Sequence, residues 1–100
     1  MKIKVGCIKY SVAFVKGLKS SDGHRMDGLS NASDKYIKVC LDIPKDIQRL
    51  TLLHEVVHML FIHAGKKVSE ETVEAISYEL LGLLQENPEL ITYLTNKEES

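Results

Sequence analysis

His54, Glu55 and His58 are spaced so that, on an α-helix, the two imidazoles project from one face a turn apart and can converge on a single cation. Glu55 lies about 100° round the helix from His54, poorly placed to share the ligand role but able to reach a water held by the metal. The pattern divides the work. Two histidines would hold a zinc ion, and one carboxylate would take a proton from the water and hand it to a leaving amine. With four His and nine Glu in 100 residues, a chance His-Glu-x-x-His is expected on the order of once in a hundred such chains. The run also lies in the most apolar part of the chain, where an unpartnered polar group costs on the order of several kcal/mol. The bland alternative, two hydrogen-bonded core histidines beside a solvated glutamate, leaves that placement unexplained.

A catalytic zinc takes about three protein ligands and keeps one position open for water, so a third ligand must come from elsewhere in the chain. Glu74 ranks first, because it lies at the edge of the apolar stripe of a following helix and can lean toward the first. Glu70, one turn earlier on the same face, ranks second, and Glu71 third. Their ordinary role would be favourable charge at a helix N-terminus. His63 falls nine residues after His54, about 180° away on an intact helix, and reads as a satisfied or exposed histidine near the helix end.

Positioning these groups requires particular elements. Leu52, Leu53, Val56, Val57, Met59, Leu60, Phe61 and Ile62 make the metal-site helix apolar almost all round, so it should be central and packed on several sides. It is predicted to run from about Lys45, after Pro44, to His63 or Ala64, with Gly65 as its stop. After Lys66-Lys67-Val68, Ser69 is the N-cap of a second helix ending near Glu86, with Val73, Ile76, Leu80, Leu83 and Leu84 as its buried stripe. Asn87-Pro88 breaks it. Pro88 to Thr95 reads as a short third helix with Leu90, Ile91 and Leu94 inward, and Asn96 to Ser100 as a charged, frayed tail.

Upstream, Lys2 to Val15 alternates like a strand, with a slip of phase that a bulge or turn near Cys7-Ile8 would explain. Gly17 to Asp34, with Asp22-Gly23 and Asp27-Gly28, reads as a loop or irregular hairpin. Tyr36 to Ile43 is a clear strand with Ile37, Val39, Leu41 and Ile43 on one face. Cys7 and Cys40 lack the spacing of a redox or zinc motif and read as free strand thiols.

The length admits one domain spanning residues 1–100, with metal-site helices at about 45–64 and 69–86. At 44% hydrophobic and 27% charged residues, the composition is that of a globular chain. The net charge is −1, and neither sign is gathered into a block along the sequence, so nucleic acid is not an expected partner. No secretory signal is visible and no apolar run reaches the ~20 residues of a membrane span, so a cytoplasmic protein without membrane contact is expected.

Leu53-His54-Glu55-Val56-Val57-His58, followed by Glu74-Ala75-Ile76-Ser77 on the next helix, resembles the gluzincin metallopeptidases. There the third zinc ligand is a glutamate in a motif read as Asn-Glu-Ala-Ile-Ser-Asp. Val73 and Tyr78 stand where that motif has asparagine and aspartate. Over residues 35 to 88 the chain resembles a minigluzincin, or a reduced ImmA/IrrE-type peptidase of phages and mobile elements. The resemblance implies an α+β fold, a minimal zincin with a small twisted sheet of about three strands on two long helices and a short C-terminal one. It also implies one Zn2+ per chain held by His54, His58 and Glu74, Glu55 as catalytic base, and a peptide or protein substrate lying along the edge strand formed by Tyr36 to Asp42. An additional oxyanion donor is expected but unassigned; Tyr78 or Tyr93 could supply it, each reading first as an ordinary half-buried tyrosine. The rival readings are a zinc-stapled interaction or regulatory module without turnover, or a latent peptidase, monomeric or blocked by its own tail or self-association.

Overall fold

The computed structural model describes residues 1–97, and its fold is α+β: a four-stranded mixed sheet and three helices. The Glu98–Ser100 end of the tail expected to fray lies outside the described residues. The strands are β1 (Lys2–Val5), β2 (Ile8–Val15), β3 (Gly28–Asn31) and β4 (Tyr36–Cys40), in the order β1-β2-β4-β3. β1 and β2 are antiparallel, β2 and β4 parallel, and β3 and β4 antiparallel.

The phase slip near Cys7 is a two-residue hairpin turn. Val5 pairs with Ile8, and Gly6 takes φ +61°, the left-handed conformation that a first central turn residue needs and that only glycine adopts freely. Cys7 therefore sits in the turn, exposed, rather than on a strand, while Cys40 is buried on β4.

The sheet has one strand more than the three or so expected, because Gly28–Asn31 forms a strand within the segment read as a loop or irregular hairpin, whose earlier part does turn back on itself through the Lys19–Arg25 bridge. Four residues including a glycine and a serine carry little strand signal of their own. Pairing to β4 and packing against α1 supply it. The same strand displaces β4 from the edge: β4 is paired on both sides, so the open edges are β1 and β3. β4 also stops at Cys40, and Leu41 is exposed.

Three helices follow: α1 (Lys45–Ala64), α2 (Glu70–Glu86) and α3 (Pro88–Thr95). Gly65 closes α1 in the left-handed conformation, with its N–H and that of Lys66 bonded to the carbonyls of Ile62 and Phe61. The Ser69 hydroxyl accepts the Thr72 N–H and caps α2.

One face of the sheet meets α1. Val5, Tyr10, Val12, Ile37 and Val39 pack with Met59, and Leu52 and Val56 of α1 join from the same side. The helical half is less enclosed than its apolar sequence implies. Leu60 and Ile62 of α1, Ile76 and Leu83 of α2, and Ile91 and Leu94 of α3 are exposed. On α2 the buried positions are Val73 and Ser77, whose hydroxyl turns back to the Val73 carbonyl. The reason is architectural: α2 packs on α1 and α3, α3 packs on α2 alone, and neither touches the sheet. No helix among the described residues is long and apolar enough to cross a membrane.

Candidate metal centre

α1 holds His54 and His58 one turn apart, with their rings 4.8 Å between centroids and inclined at 69°. Their Nε2 atoms are 3.2 Å from one another. Both face the carboxylate of Glu70, the first residue of α2: His54 Nε2 is 2.5 Å from Oε1, and His58 Nε2 is 3.1 Å from Oε2. His54 and His58 are partly buried, whereas Glu70 enters from the solvent side. Partial burial would raise the Glu70 carboxyl, but hydrogen bonds from His58 and His54, and their charge, outweigh it and hold it below its ordinary value.

These three residues form the one cluster of potential metal ligands among the described residues, their ligand atoms all within 4.8 Å of each other. The donor set fits zinc. With Zn–N of ~2.0–2.1 Å, neighbouring corners of a tetrahedron stand about 3.3 Å apart, close to the 3.2 Å between the two Nε2 atoms and the 3.1 Å from His58 Nε2 to Glu70 Oε2, whereas the 2.5 Å from His54 Nε2 to Glu70 Oε1 is a hydrogen-bond distance that a bound ion would open.

Glu74 does not join the cluster. It lines the same cleft one turn farther along α2, beside Ser77 and Tyr78 and across from Ile47, Leu50 and Thr51 of α1. The path of the chain between the helices explains the choice of Glu70. Five residues separate Ala64 from Glu70, and the Glu70 carboxylate meets His54 and His58, so the first turn of α2, not the second, stands level with them. Ser69 as cap then fixes Glu70 at the mouth of the helix. Glu71 is exposed and outside the cluster. His63 points elsewhere, with Nε2 3.3 Å from the Tyr10 hydroxyl and its ring over Gly6, where a Cβ would lie 2.8 Å from Nδ1. Tyr78 lines the cleft, and Tyr93 stands exposed on α3, away from it.

Glu55 lines the cleft too, outside the ligand cluster. Its Oε1 accepts a 2.6 Å hydrogen bond from the Ser30 hydroxyl on β3, a contact the sequence does not announce. Gly28 permits it. A Cβ there would sit 2.5 Å from Thr51 Cγ2 and 3.6 Å from Glu55 Cγ, so only glycine lets the strand lie this close to α1. The only legible signal was the i, i+2 spacing of Gly28 and Ser30, which puts both on the α1 side of a strand.

β3 is also the sheet edge beside the cleft. The Cys40 N–H donates to the Asp27 carbonyl at 2.7 Å. With Gly28 opposite Val39 and Leu29 opposite Lys38, the antiparallel alternation turns the backbone groups of Gly28 and Ser30 toward the open edge.

No family model, curated protein or solved structure matches this chain.

Proposed function

We propose that this chain is a zinc-dependent metallopeptidase in which His54, His58 and Glu70 hold the metal and Glu55 is the general base and acid. The observation that carries the reading is the convergence of three ligand side chains from two helices on one point beside a fourth, separately held carboxylate. A bound zinc ion supplies Lewis acidity toward a peptide carbonyl and makes its water a nucleophile near neutral pH. The chain does the rest. Glu55 accepts the proton released from the water and returns it to the amine of the departing half. The Ser30 hydroxyl occupies one carboxylate oxygen of Glu55, leaving the other for proton transfer. The free backbone groups of Gly28 and Ser30 align an extended peptide by strand addition, which makes β3, and not β4, the substrate edge.

The structural-zinc alternative needs a closed site of about four protein ligands. Among the described residues the cluster contains three, which favours an open coordination position and hence turnover. The test is Glu55→Gln, with zinc content measured beside cleavage of a peptide library. Equal zinc in both proteins with cleavage reduced by ~10²-fold or more in the variant is the expected result. Zinc in both and cleavage in neither would refute the peptidase reading in favour of the staple.

A further inference from the structure

Charge forms no long run of one sign, but its balance changes along the chain and with it across the fold. Residues 1–67 carry twelve Lys and Arg against six Asp and Glu, whereas residues 68–96 carry six Glu and no Lys or Arg. Four of the twelve basic residues of that half stand on the sheet face turned away from α1. Ile3, Val5, Ile8, Tyr10, Val12, Ile37 and Val39 face the core, so alternation places Lys2, Lys4, Lys9 and Lys38 on the outer face with Ser11, Ala13 and Tyr36. The four strands contain no acidic residue. Lys4 is paired directly opposite Lys9, a like-charge juxtaposition that destabilises a sheet. Lysines on an edge strand such as β1 discourage aggregation, but Lys9 and Lys38 lie on interior strands, where that explanation fails. Among the described residues no lysine or arginine is ion-paired with a carboxylate.

The acidic half is the arm formed by α2 and α3. Its exposed Ile76, Glu79, Leu83 and Glu86 follow i, i+3, i+7 and i+10 spacing and so share one face of α2. The arm stretches the molecule to 50 Å and its radius of gyration to 14.6 Å, above the ~13 Å of a compact 100-residue domain. Exposed apolar side chains on such an arm call for a cover. Arm against arm would oppose two sets of six carboxylates, and sheet against sheet two sets of lysines. Arm against sheet pairs opposite charges, with the lysine stems lying over Ile76 and Leu83.

We infer that two copies of this chain associate reciprocally, the acidic α2 face of each covering the lysine-bearing outer sheet face of the other. Each copy gives an arm and receives one. It is independent of whether the metal centre turns over peptides.

Sedimentation velocity of the full zinc-loaded chain at about 100 µM tests it, with circular dichroism confirming the fold of each variant. The unmodified chain should sediment as a dimer at low ionic strength and dissociate as salt approaches ~1 M, where screening reaches ~3 Å. Lys4→Glu/Lys9→Glu and Glu79→Lys/Glu86→Lys should each weaken the dimer at least tenfold. An equimolar mixture of the two should recover it, because each reversed sheet then meets a reversed arm. A monomeric unmodified chain would overturn the proposal, as would a dimer indifferent to both reversals. So would a monomer whose lysine face takes up a fluorescein-labelled single-stranded oligonucleotide, which would assign the face to nucleic acid.

Discussion

The choice between Glu70 and Glu74 as third ligand is open to a direct measurement, because the two residues differ by one turn of α2 and only Glu70 reaches the histidines. Zinc that binds the folded chain alone stabilises it by RT ln(1 + [Zn]/Kd), about 2.7 kcal/mol at a free concentration 100-fold above Kd. For a chain of this size each kcal/mol moves Tm by roughly 4–8 °C, so zinc should raise Tm by about 10–20 °C. Replacing a residue that merely supports a ligand weakens metal binding by ~10–100-fold, and replacing a ligand should reach at least the upper figure. Glu70→Gln at the same zinc concentration would then sit near its own Kd, with only ~0.4 kcal/mol of stabilisation left and a Tm rise of about 2–3 °C. Glu74→Gln should keep nearly the whole increment. Scanning calorimetry with and without buffered zinc, backed by competition with a chelating dye, measures both. If Glu74→Gln lost as much of the zinc-dependent Tm rise as Glu70→Gln, the ligand assignment drawn from this geometry would be wrong.

Ser30→Ala should leave zinc content unchanged but lower kcat by ~10-fold with little change in KM, corresponding to about 1.4 kcal/mol of lost Glu55 positioning; Ser30→Thr should recover part of it in the same steady-state assay. Gly28→Ala forces a Cβ onto Thr51 Cγ2 at 2.5 Å and should cost ~1–3 kcal/mol, read as a lower urea midpoint. Adding Thr51→Ser, which removes the clashing methyl, should restore most of that loss. Ser69→Ala deletes the α2 cap and should cost ~1 kcal/mol; because the cap sits next to Glu70, zinc affinity should fall with it, which a chelator titration reports.

The helices were legible because their signals are local. Pro44, Gly65, Ser69 and Asn87-Pro88 delimit them through φ restriction, left-handed backbone and capping, and the structure has boundaries at those residues. The His54, Glu55 and His58 spacing is local too. What depends on tertiary pairing was hidden. β3 holds its shape through β4 and α1, so Gly28–Asn31 reads locally as loop or irregular hairpin, and without it β4 passes for the edge. Ser30, the partner of Glu55, was hidden with it. Glu70 was ranked below Glu74 because a stripe pattern fixes the face a residue occupies on its helix but not the register of that helix against its neighbour. The five-residue link from Ala64 to Glu70 and the packing of α2 on α1 set that register. The apolar stripe misled for a related reason: 3.6-residue periodicity identifies a face that could be covered, and on α2 and α3 it identified faces that the rest of the chain leaves exposed.

The metal cluster also bears on what holds the arm to the body. α2 buries only Val73 and Ser77 fully, and α3 buries no residue, so apolar burial anchors these helices weakly. The link most specific in geometry between α2 and α1 is the approach of Glu70 to His54 and His58, at the very start of α2. A zinc ion there would join the two helices at the point where the chain has just re-entered a helix, and the free energy of binding it would count toward the stability of the hairpin. In so small a chain an ion that served turnover would therefore also anchor the hairpin. Under the proposed function the three-residue cluster would leave a coordination position for water, and the same three residues, two on α1 and one on α2, are what zinc would use to hold the cleft at its working width.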